Sequence, residues 1–251
     1  MLLLHLSDVD EASWARAFTE ALAPSPVVRR GDSFAPADIR YIFVWKPQAD
    51  AFDGLHNLKA VLSLGAGVDA LLKHPNLPDA PIVRFVDEDL SQRMSDYVVA
   101  HVTMHHRQFT RFQADQKARR WDQYYPPAAG ETTVGIMGMG VLGQDAAKRL
   151  KPLGFDLRSW SRTPKAMDGV EGFAGQAEFD AFLAGTDILV NLLPLTPETE
   201  GILGKKTFDL MPKGAMVINV GRGKHVVEQE LIDALDSGQL SYAALDALHP
   251  E

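Results

Sequence analysis

The stretch Thr132-Thr133-Val134-Gly135-Ile136-Met137-Gly138-Met139-Gly140-Val141-Leu142-Gly143 determines the fold class that this sequence predicts. Its first half favours a strand, and after Gly143 apolar residues recur at helical spacing until Gly154. A second strand is expected over residues 155–159. A Gly-x-Gly-x-x-Gly turn between a strand and a helix is typical of a domain that binds a dinucleotide. The alternative interpretation is a glycine-rich turn that binds nothing.

Strands and helices alternate on both sides of this unit, which predicts parallel sheets covered by helices. Further strands are expected over residues 1–6, 41–45, 60–64, 81–85, 187–193, 215–220 and 242–246. A helical pattern without Gly or Pro runs over residues 92–121 and is ended by a proline-rich segment. We therefore expect an α/β chain of two domains. A flavodoxin-like parallel α/β domain covers residues 1–95, and a Rossmann dinucleotide-binding domain covers 96–251, beginning with the long linking helix.

The fingerprint is expected to hold a pyrophosphate, because a helix N-terminus offers free N–H groups and the positive end of its dipole. The residues involved would be Gly138, Met139, Gly140, Val141, Leu142 and Gly143.

The end of the second strand indicates which dinucleotide binds. Residues 159–165 read Ser-Trp-Ser-Arg-Thr-Pro-Lys and lack the carboxylate that an NAD site usually offers to the ribose. Ser161, Arg162, Thr163 and Lys165 instead suit a 2′-phosphate. We expect NADP(H), with NAD(H) as a weaker alternative. The other interpretations are ordinary surface cations on a loop, and a methyltransferase that binds a related cofactor on a similar turn.

Composition narrows the classes of function. The 251 residues carry a net charge of −8 without a long basic run, so nucleic acid is a poor candidate partner. Without cysteine, disulfides and thiol catalysis are excluded, and a cytoplasmic location is expected. The apolar start turns acidic at once and nothing approaches transmembrane length, so we expect neither a leader nor a membrane partner. His101, His105 and His106 lack a carboxylate-histidine motif, and no metal is expected.

Four further segments resemble the D-isomer-specific 2-hydroxyacid dehydrogenase family, in the family's order. They are Leu64-Gly65-Ala66-Gly67-Val68-Asp69, Asn191-Leu192-Leu193-Pro194-Leu195-Thr196-Pro197-Glu198-Thr199, Ile218-Asn219-Val220-Gly221-Arg222-Gly223 and Leu245-Asp246-Ala247-Leu248-His249-Pro250-Glu251. Together with the fingerprint they span nearly the whole chain. Trp45, the run Trp160-Ser161-Arg162-Thr163 and the run Val226-Val227-Glu228 are similar to the glyoxylate/hydroxypyruvate reductase A branch in particular.

The resemblance implies NADPH-linked reduction of a small 2-oxo acid, glyoxylate or hydroxypyruvate, with residues 1–95 as the N-terminal part of the substrate domain. The N–H groups of Ala66, Gly67 and Val68 would bind the substrate carboxylate, the alternative being a plain glycine turn. Trp45 lines the pocket or is a buried core residue. Arg222 would clamp the carboxylate and stabilise the developing alkoxide, the alternative being a surface or helix-capping arginine.

The same resemblance assigns residues beside the nicotinamide. Leu193, Pro194, Val220 and Asp246 are expected there, although a strand-end turn is an equally ordinary place for an aspartate. Glu251 aligns with the family glutamate that raises the pKa of the catalytic histidine, the alternative being an exposed terminal residue.

The general acid of the family is a histidine beyond the position of Glu251, and neither His225 nor His249 matches it. We therefore expect this sequence to be a shortened form of a longer protein rather than a catalytically crippled one. The alternative function is a non-catalytic NADP-binding sensor or corepressor-like module. In related enzymes the long helix builds a two-fold dimer, so a homodimer is expected. The helix offers apolar and aromatic residues for this interface, including Val98, Val102, Phe109, Phe112 and Trp121.

Overall fold

The computed structural model describes residues 1–250, which divide into two compact units. The first unit is Met1–Asp87, and the second begins at Glu88. The boundary that we expected near residue 95 falls inside the helix that opens the second unit.

The first unit is a five-stranded parallel sheet with short connections. Its elements are β1 (Leu2–Leu6), α1 (Glu11–Leu22), β2 (Val27–Arg29), β3 (Tyr41–Trp45), β4 (Ala60–Ser63), α2 (Asp69–Leu72) and β5 (Ile82–Val83). The strands lie in the order β2-β1-β3-β4-β5, and every neighbouring pair is parallel. This is the strand order of flavodoxin-like domains, as expected from the sequence.

Apolar side chains cover both faces of this sheet. On one face, Trp14 and Phe18 of α1 pack against Phe43 of β3 in tilted and edge-on arrangements, with ring centroids 5.8 and 4.9 Å from it. On the other face, a cluster that includes Phe52, Leu55 and Leu71 buries the opposite sides of the strands. The helix α1 starts where the Asp10 carboxylate accepts a hydrogen bond from the Ser13 N–H at 3.2 Å.

The second unit is a six-stranded parallel sheet preceded by two helices. Its elements are α3 (Glu88–His106), α4 (Phe109–Lys117), β6 (Thr133–Met137), α5 (Val141–Leu150), β7 (Asp156–Ser161), β8 (Glu171–Ala174), α6 (Phe179–Ala184), β9 (Ile188–Asn191), α7 (Lys205–Leu210), β10 (Ala215–Asn219), α8 (Glu228–Asp236) and β11 (Leu240–Leu245). The strands lie in the order β11-β10-β9-β6-β7-β8.

This order is that of a doubly wound Rossmann fold, which confirms the predicted fold class. The direction of winding reverses between β6 and β9, which pair from Val134 opposite Ile188 to Met137 opposite Asn191. In open parallel sheets, ligands bind in the crevice outside the carboxyl ends of the strands at such a reversal. The fingerprint turn follows β6 at this edge, so the fold exposes the turn where a dinucleotide would bind.

Helices from different parts of the unit cover the two faces of the second sheet. Val98 and Val102 of α3 pack with Leu150 of α5 on one face. Phe182 of α6, Phe208 of α7 and Leu231 of α8 belong to the cluster on the other. No helix within residues 1–250 is long and apolar enough to cross a membrane.

The prediction of one continuous helix over residues 92–121 is wrong, because the structure divides this segment between two helices, α3 and α4. α3 ends at His106, and Gln108 takes a left-handed conformation with φ of 58° before α4 begins. The His106 ring packs edge-on against Phe155 at 5.1 Å and lies 3.3 Å from the Thr132 hydroxyl, so the second sheet holds the end of α3. Tertiary contacts thus end a helix in a segment without Gly or Pro.

Candidate functional site

The fingerprint turn has the geometry that its three glycines predict. Gly138 has φ of +101°, and a Cβ there would lie 2.8 Å from the Leu192 carbonyl oxygen, so only glycine fits. A Cβ on Gly143 would collide with the Gly138 carbonyl, so this position lets α5 pack closely on the end of β6. Gly140 caps α5 and has no atom within 4 Å of the Cβ position, which leaves the helix N-terminus open.

The three residues between these glycines lie where the fingerprint predicts. Met139 is buried in the core beneath the turn, and its carbonyl accepts a hydrogen bond from the Gln144 amide at 3.2 Å. Val141 and Leu142 form the first turn of α5, with Val141 47% exposed. The backbone of this turn is therefore accessible to a phosphate group.

The loop after β7 presents two cations. Within residues 1–250, neither Arg162 nor Lys165 lies within ion-pair distance of a carboxylate, and both side chains are exposed. A cavity of about 930 Å³ opens between this loop and β8, lined by both cations. The Ser161 hydroxyl donates to the Thr163 carbonyl at 2.8 Å. Ser161 can therefore donate to a phosphate only after its hydroxyl group rotates away from that carbonyl.

Arg162 also acts on the loop that follows β9. Hydrogen bonding from Thr196 lowers the pKa of the Glu198 carboxyl, and the positive charge of Arg162 adds to the shift. The structure therefore brings Arg162 near the segment expected beside the cofactor.

The loops after β9 and β10 are joined by buried amide side chains. The Asn191 amide nitrogen donates to the Asn219 side-chain oxygen at 2.9 Å, and both residues are fully buried. Asn191 also accepts from the Leu193 N–H at 3.2 Å, and its backbone carbonyl accepts from Val220. These bonds fix the segments of Leu193, Pro194 and Val220, which are the residues expected beside the nicotinamide.

Arg222 lies in a tight turn directly after β10. The Asn219 side chain donates to the Arg222 carbonyl at 2.9 Å, and one guanidinium nitrogen donates to the Gly221 carbonyl at 3.0 Å. A Cβ on Gly221 would lie 2.7 Å from the His225 ring, and one on Gly223 would collide with the Leu248 backbone. The flanking glycines thus let neighbouring segments close around the arginine.

Sequence reasoning missed the residues that hold this turn. Asn191, Asn219 and His225 are all fully buried, and the His225 ring contacts both loops. One signal was present, because Asn191 and Asn219 each end an apolar strand, and the carboxyl ends of parallel strands meet at one edge of a sheet. Nothing in the spacing pointed to His225, which lies outside any strand.

The loop that we expected to bind the substrate carboxylate lies in the first unit. Within residues 1–250 the Ala66, Gly67 and Val68 N–H groups donate no hydrogen bond, whereas the Gly65 N–H donates to the Ser63 hydroxyl at 3.1 Å. The helix α2 that follows has only four residues, so its dipole is weaker than the sequence suggested. Trp45 is partly buried and packs on the same loop, since its ring lies 2.9 Å from the Cβ position of Gly65.

Asp246 follows β11 and faces α3. Burial raises the pKa of Tyr97, and the Asp246 carboxylate adds to the rise. Burial lowers the pKa of His101, and Asp246 opposes that shift.

Glu251 lies outside the described residues. Over residues 1–250, no three His, Asp or Glu side chains come together as metal ligands would.

Comparison with known proteins identifies the family. Residues 99–251 match the family described as D-isomer specific 2-hydroxyacid dehydrogenase, NAD binding domain. The glyoxylate/hydroxypyruvate reductase A of Yersinia enterocolitica is 43% identical over 229 residues, which cover 89% of this chain and 72% of the relative. The protein of the same name from Klebsiella pneumoniae is 42% identical over 259 residues, covering 100% of this chain and 81% of the relative.

Comparison with solved structures identifies the same family. A D-isomer specific 2-hydroxyacid dehydrogenase from Xanthobacter autotrophicus, in complex with NADPH and MES, superposes with a TM-score of 0.93 at 42% identity. An NADPH-dependent glyoxylate/hydroxypyruvate reductase from Sinorhizobium meliloti, with NADP and sulfate, gives 0.90 at 40%. Each match covers 100% of this chain and 81% of the other. This chain belongs to the D-isomer-specific 2-hydroxyacid dehydrogenase family.

Proposed function

We propose that this protein reduces small 2-oxo acids, glyoxylate and hydroxypyruvate, to 2-hydroxy acids with NADPH. The observation that carries the proposal is the position of the Arg222 turn. It follows β10 at the carboxyl edge of the same sheet whose β6 leads into the open fingerprint turn. An arginine there is suited to an anionic substrate beside a dinucleotide.

The residues present fit a dinucleotide with a 2′-phosphate. The accessible N-terminus of α5 suits the pyrophosphate, and Gly140 leaves room for its approach. Ser161, Arg162, Thr163 and Lys165 suit the 2′-phosphate, because charge-assisted hydrogen bonds favour a dianion over a ribose hydroxyl. The related structures from Xanthobacter autotrophicus and Sinorhizobium meliloti contain NADPH and NADP, which supports the same choice here. NAD(H) would bind more weakly.

The chain offers two groups for the substrate carboxylate. The N–H groups of Ala66, Gly67 and Val68 have no acceptor among residues 1–250, so they remain available to an anion. Arg222 offers a planar fork that matches a carboxylate and the adjacent carbonyl oxygen. Trp45, packed on Gly65, would limit the size of the substrate.

The nicotinamide, when bound, supplies the hydride that reduces the carbonyl carbon. Arg222 stabilises the negative charge that develops on the substrate oxygen, which a preorganised cation does without reorganising. Leu193, Pro194 and Val220 would lie beside the nicotinamide, and hydrogen bonds to Asn191 fix the backbone of Leu193 and Val220. Glu251 is proposed to orient the histidine that supplies the proton.

The choice of substrate rests on the names of the relatives. The proteins from Yersinia enterocolitica and Klebsiella pneumoniae are glyoxylate/hydroxypyruvate reductases A, and Trp45 together with residues 160–163 resembles that branch. Small substrates suit a site that is confined by an indole ring.

The test measures NADPH oxidation by the purified protein with glyoxylate, hydroxypyruvate and larger 2-oxo acids. We expect the two small substrates to give the highest kcat/KM. Arg222→Ala should reduce kcat/KM for glyoxylate at least about a hundredfold while NADPH still binds, the scale for one lost preorganised group. Arg222→Lys is the matched control, and it should recover only part of the activity because it lacks the fork. Binding of NADPH without turnover of any 2-oxo acid would instead favour a cofactor-sensing module.

A further inference from the structure

The His225 ring lies fully buried beneath the turn that contains Arg222. Its Nδ1 is 3.0 Å from the Arg222 backbone nitrogen and 2.9 Å from the Asn191 amide nitrogen. Its Nε2 is 3.3 Å from the Pro194 carbonyl oxygen. One side chain therefore contacts the loop after β9 and the loop after β10.

The partners define the tautomer of this ring. The Arg222 N–H can only donate, so Nδ1 must be the acceptor. The Asn191 side-chain oxygen already accepts from the Leu193 N–H, so the group that faces Nδ1 is the amide NH₂, which is also a donor. The ring proton is consequently on Nε2, where it is directed to the Pro194 carbonyl.

The surroundings hold the ring in this place. The His225 carbonyl accepts from the Leu203 N–H at 2.8 Å, and the Lys224 carbonyl accepts from Gly201 at 2.9 Å. Gly221 gives the ring room, because a Cβ there would lie 2.7 Å from Nδ1. The backbone hydrogen bonds thus hold His225 in place, and its two ring nitrogen atoms contact the loops after β9 and β10.

We propose that His225 is a positioning residue, whose Nδ1 sets the backbone of Arg222 and whose Nε2–H sets the carbonyl of Pro194. The proposal rests on the proposed function, since it concerns the arginine that binds the 2-oxo acid and the loop beside the nicotinamide. The two nitrogen atoms have separable roles: Nδ1 serves the substrate side, and Nε2–H serves the cofactor side.

Two substitutions separate these roles. His225→Asn places an amide oxygen near the position of Nδ1, so it can still accept from the Arg222 N–H but no longer reaches Pro194. His225→Gln places its amide NH₂ near the position of Nε2, so it can donate to Pro194 but leaves the Arg222 N–H without its acceptor. Both side chains are polar amides, so each is the matched control for the other.

The first measurement does not depend on activity. Hydrogen exchange at the Arg222 amide should be at least about tenfold faster in His225→Gln than in His225→Asn, the scale of one lost buried hydrogen bond. Equal exchange in the two variants, at equal thermal midpoints, would overturn the proposal. The ¹⁵N shifts of the ring in the unmodified protein should show a protonated Nε2 and an unprotonated Nδ1, and the opposite tautomer would also overturn it.

The second measurement is kinetic. His225→Gln should lower kcat/KM for glyoxylate at least about tenfold with an NADPH dissociation constant within about twofold of the unmodified value. His225→Asn should weaken NADPH binding several-fold and retain most of kcat. A purely structural role would lower stability and both constants in parallel in the two variants, and that result would reject the proposal. If the unmodified protein reduces no 2-oxo acid, the proposed function fails, and the exchange measurement alone decides the role of His225.

Discussion

Arg162 is the residue on which the cofactor preference should depend. Its guanidinium is exposed after β7 and has no carboxylate within ion-pair distance among residues 1–250. We expect NADPH to bind more tightly than NADH by about 1–3 kcal/mol, the range for a hydrogen bond to a charged group. Arg162→Ala should remove most of this difference, as measured by titration calorimetry with both cofactors.

Arg158 provides the control for that measurement. It lies in β7, the strand that precedes the loop of Arg162, and pairs with Glu171 at 2.8 Å, so Arg158→Ala removes one positive charge without changing the loop. Arg158→Ala should keep the preference for NADPH. Equal affinity of the unmodified protein for the two cofactors would reject the assignment of the loop.

At the residue scale, the sequence pointed more readily to the residues expected to contact a ligand than to the residues that hold them in place. Gly138 and Gly143 were recognisable, because their fixed spacing follows from how close a backbone must approach a phosphate or a strand. Arg222 was recognisable because its segment resembles the family and follows an apolar strand. Asn191 offered only its place at the end of an apolar strand and His225 offered no signal, because their roles depend on which side chains meet after folding. A buried hydrogen-bond network leaves no periodic signal in a single sequence.

At the scale of the element, the end of α4 is followed by Arg119 in the left-handed backbone conformation, which is unfavourable for a residue with a side chain. The Arg119 N–H donates to the Gln116 carbonyl at 3.1 Å, and the Arg120 N–H donates to the Asp115 carbonyl at 2.9 Å. This pair of bonds is a Schellman motif, in which the residue at the position of Arg119 is usually glycine. Arg119 has φ of 50°, where a side chain costs about 1–2 kcal/mol.

Arg119→Gly should therefore stabilise the second unit by about 1 kcal/mol after the greater flexibility of the unfolded chain is included. Arg119→Ala keeps the Cβ in the left-handed region and removes the same charge, so it should bring little gain. The urea midpoint measures both variants. A gain of equal size in Arg119→Ala would show that charge, and not backbone strain, limits this helix end.

The strand β1 carries a histidine whose titration should destabilise the first unit in acid. Burial lowers the pKa of His5 below the ordinary value of 6.5, and the nearby charge of Arg30 adds to the shift. His5 Nε2 accepts from the Gln48 N–H at 3.4 Å, which requires the neutral ring. Because the unfolded chain then binds more protons than the native one, stability is retained above pH 6.5 and declines as the pH falls below it.

His5→Gln keeps an acceptor near the position of Nε2 and cannot titrate. The loss of urea stability between about pH 7.5 and about pH 5.5, which bracket the ordinary histidine pKa, should be smaller in this variant than in the unmodified protein. An identical loss in both proteins would show that His5 is not responsible.

The elements that were predicted well are long or central, and those that were missed lie at edges. The core strands β6, β9 and β10 were expected within two residues of their observed ends, because burial on both faces gives continuous apolar runs. β2 and β8 were missed, since they are short edge strands with polar residues and one free side. The break at Gln108 was also missed, because contacts with the second sheet override helix propensity there.

At the scale of the whole molecule, part of the predicted dimer interface lies in the core of the second unit. The expected interface included Val98 and Val102, but both are fully buried in the core of the second unit and face its sheet. The residues left exposed lie after α3: Phe109 and Phe112 are 49% and 40% exposed, and Trp121 is 92% exposed. Large exposed aromatic side chains within one short segment are typical of an interaction surface.

We accordingly expect a two-fold homodimer through residues 109–121, because a cyclic dimer is the commonest way for such a surface to be covered. Trp121→Ser should raise the dimer dissociation constant at least about tenfold, since tryptophan is a frequent energetic centre of interfaces. Ile232→Ser, which removes a 49% exposed apolar residue from α8, is the control and should leave the assembly intact. Sedimentation velocity at micromolar concentration measures both variants. A monomeric mass for the unmodified protein would contradict the dimer, and equal effects of the two substitutions would place its interface elsewhere.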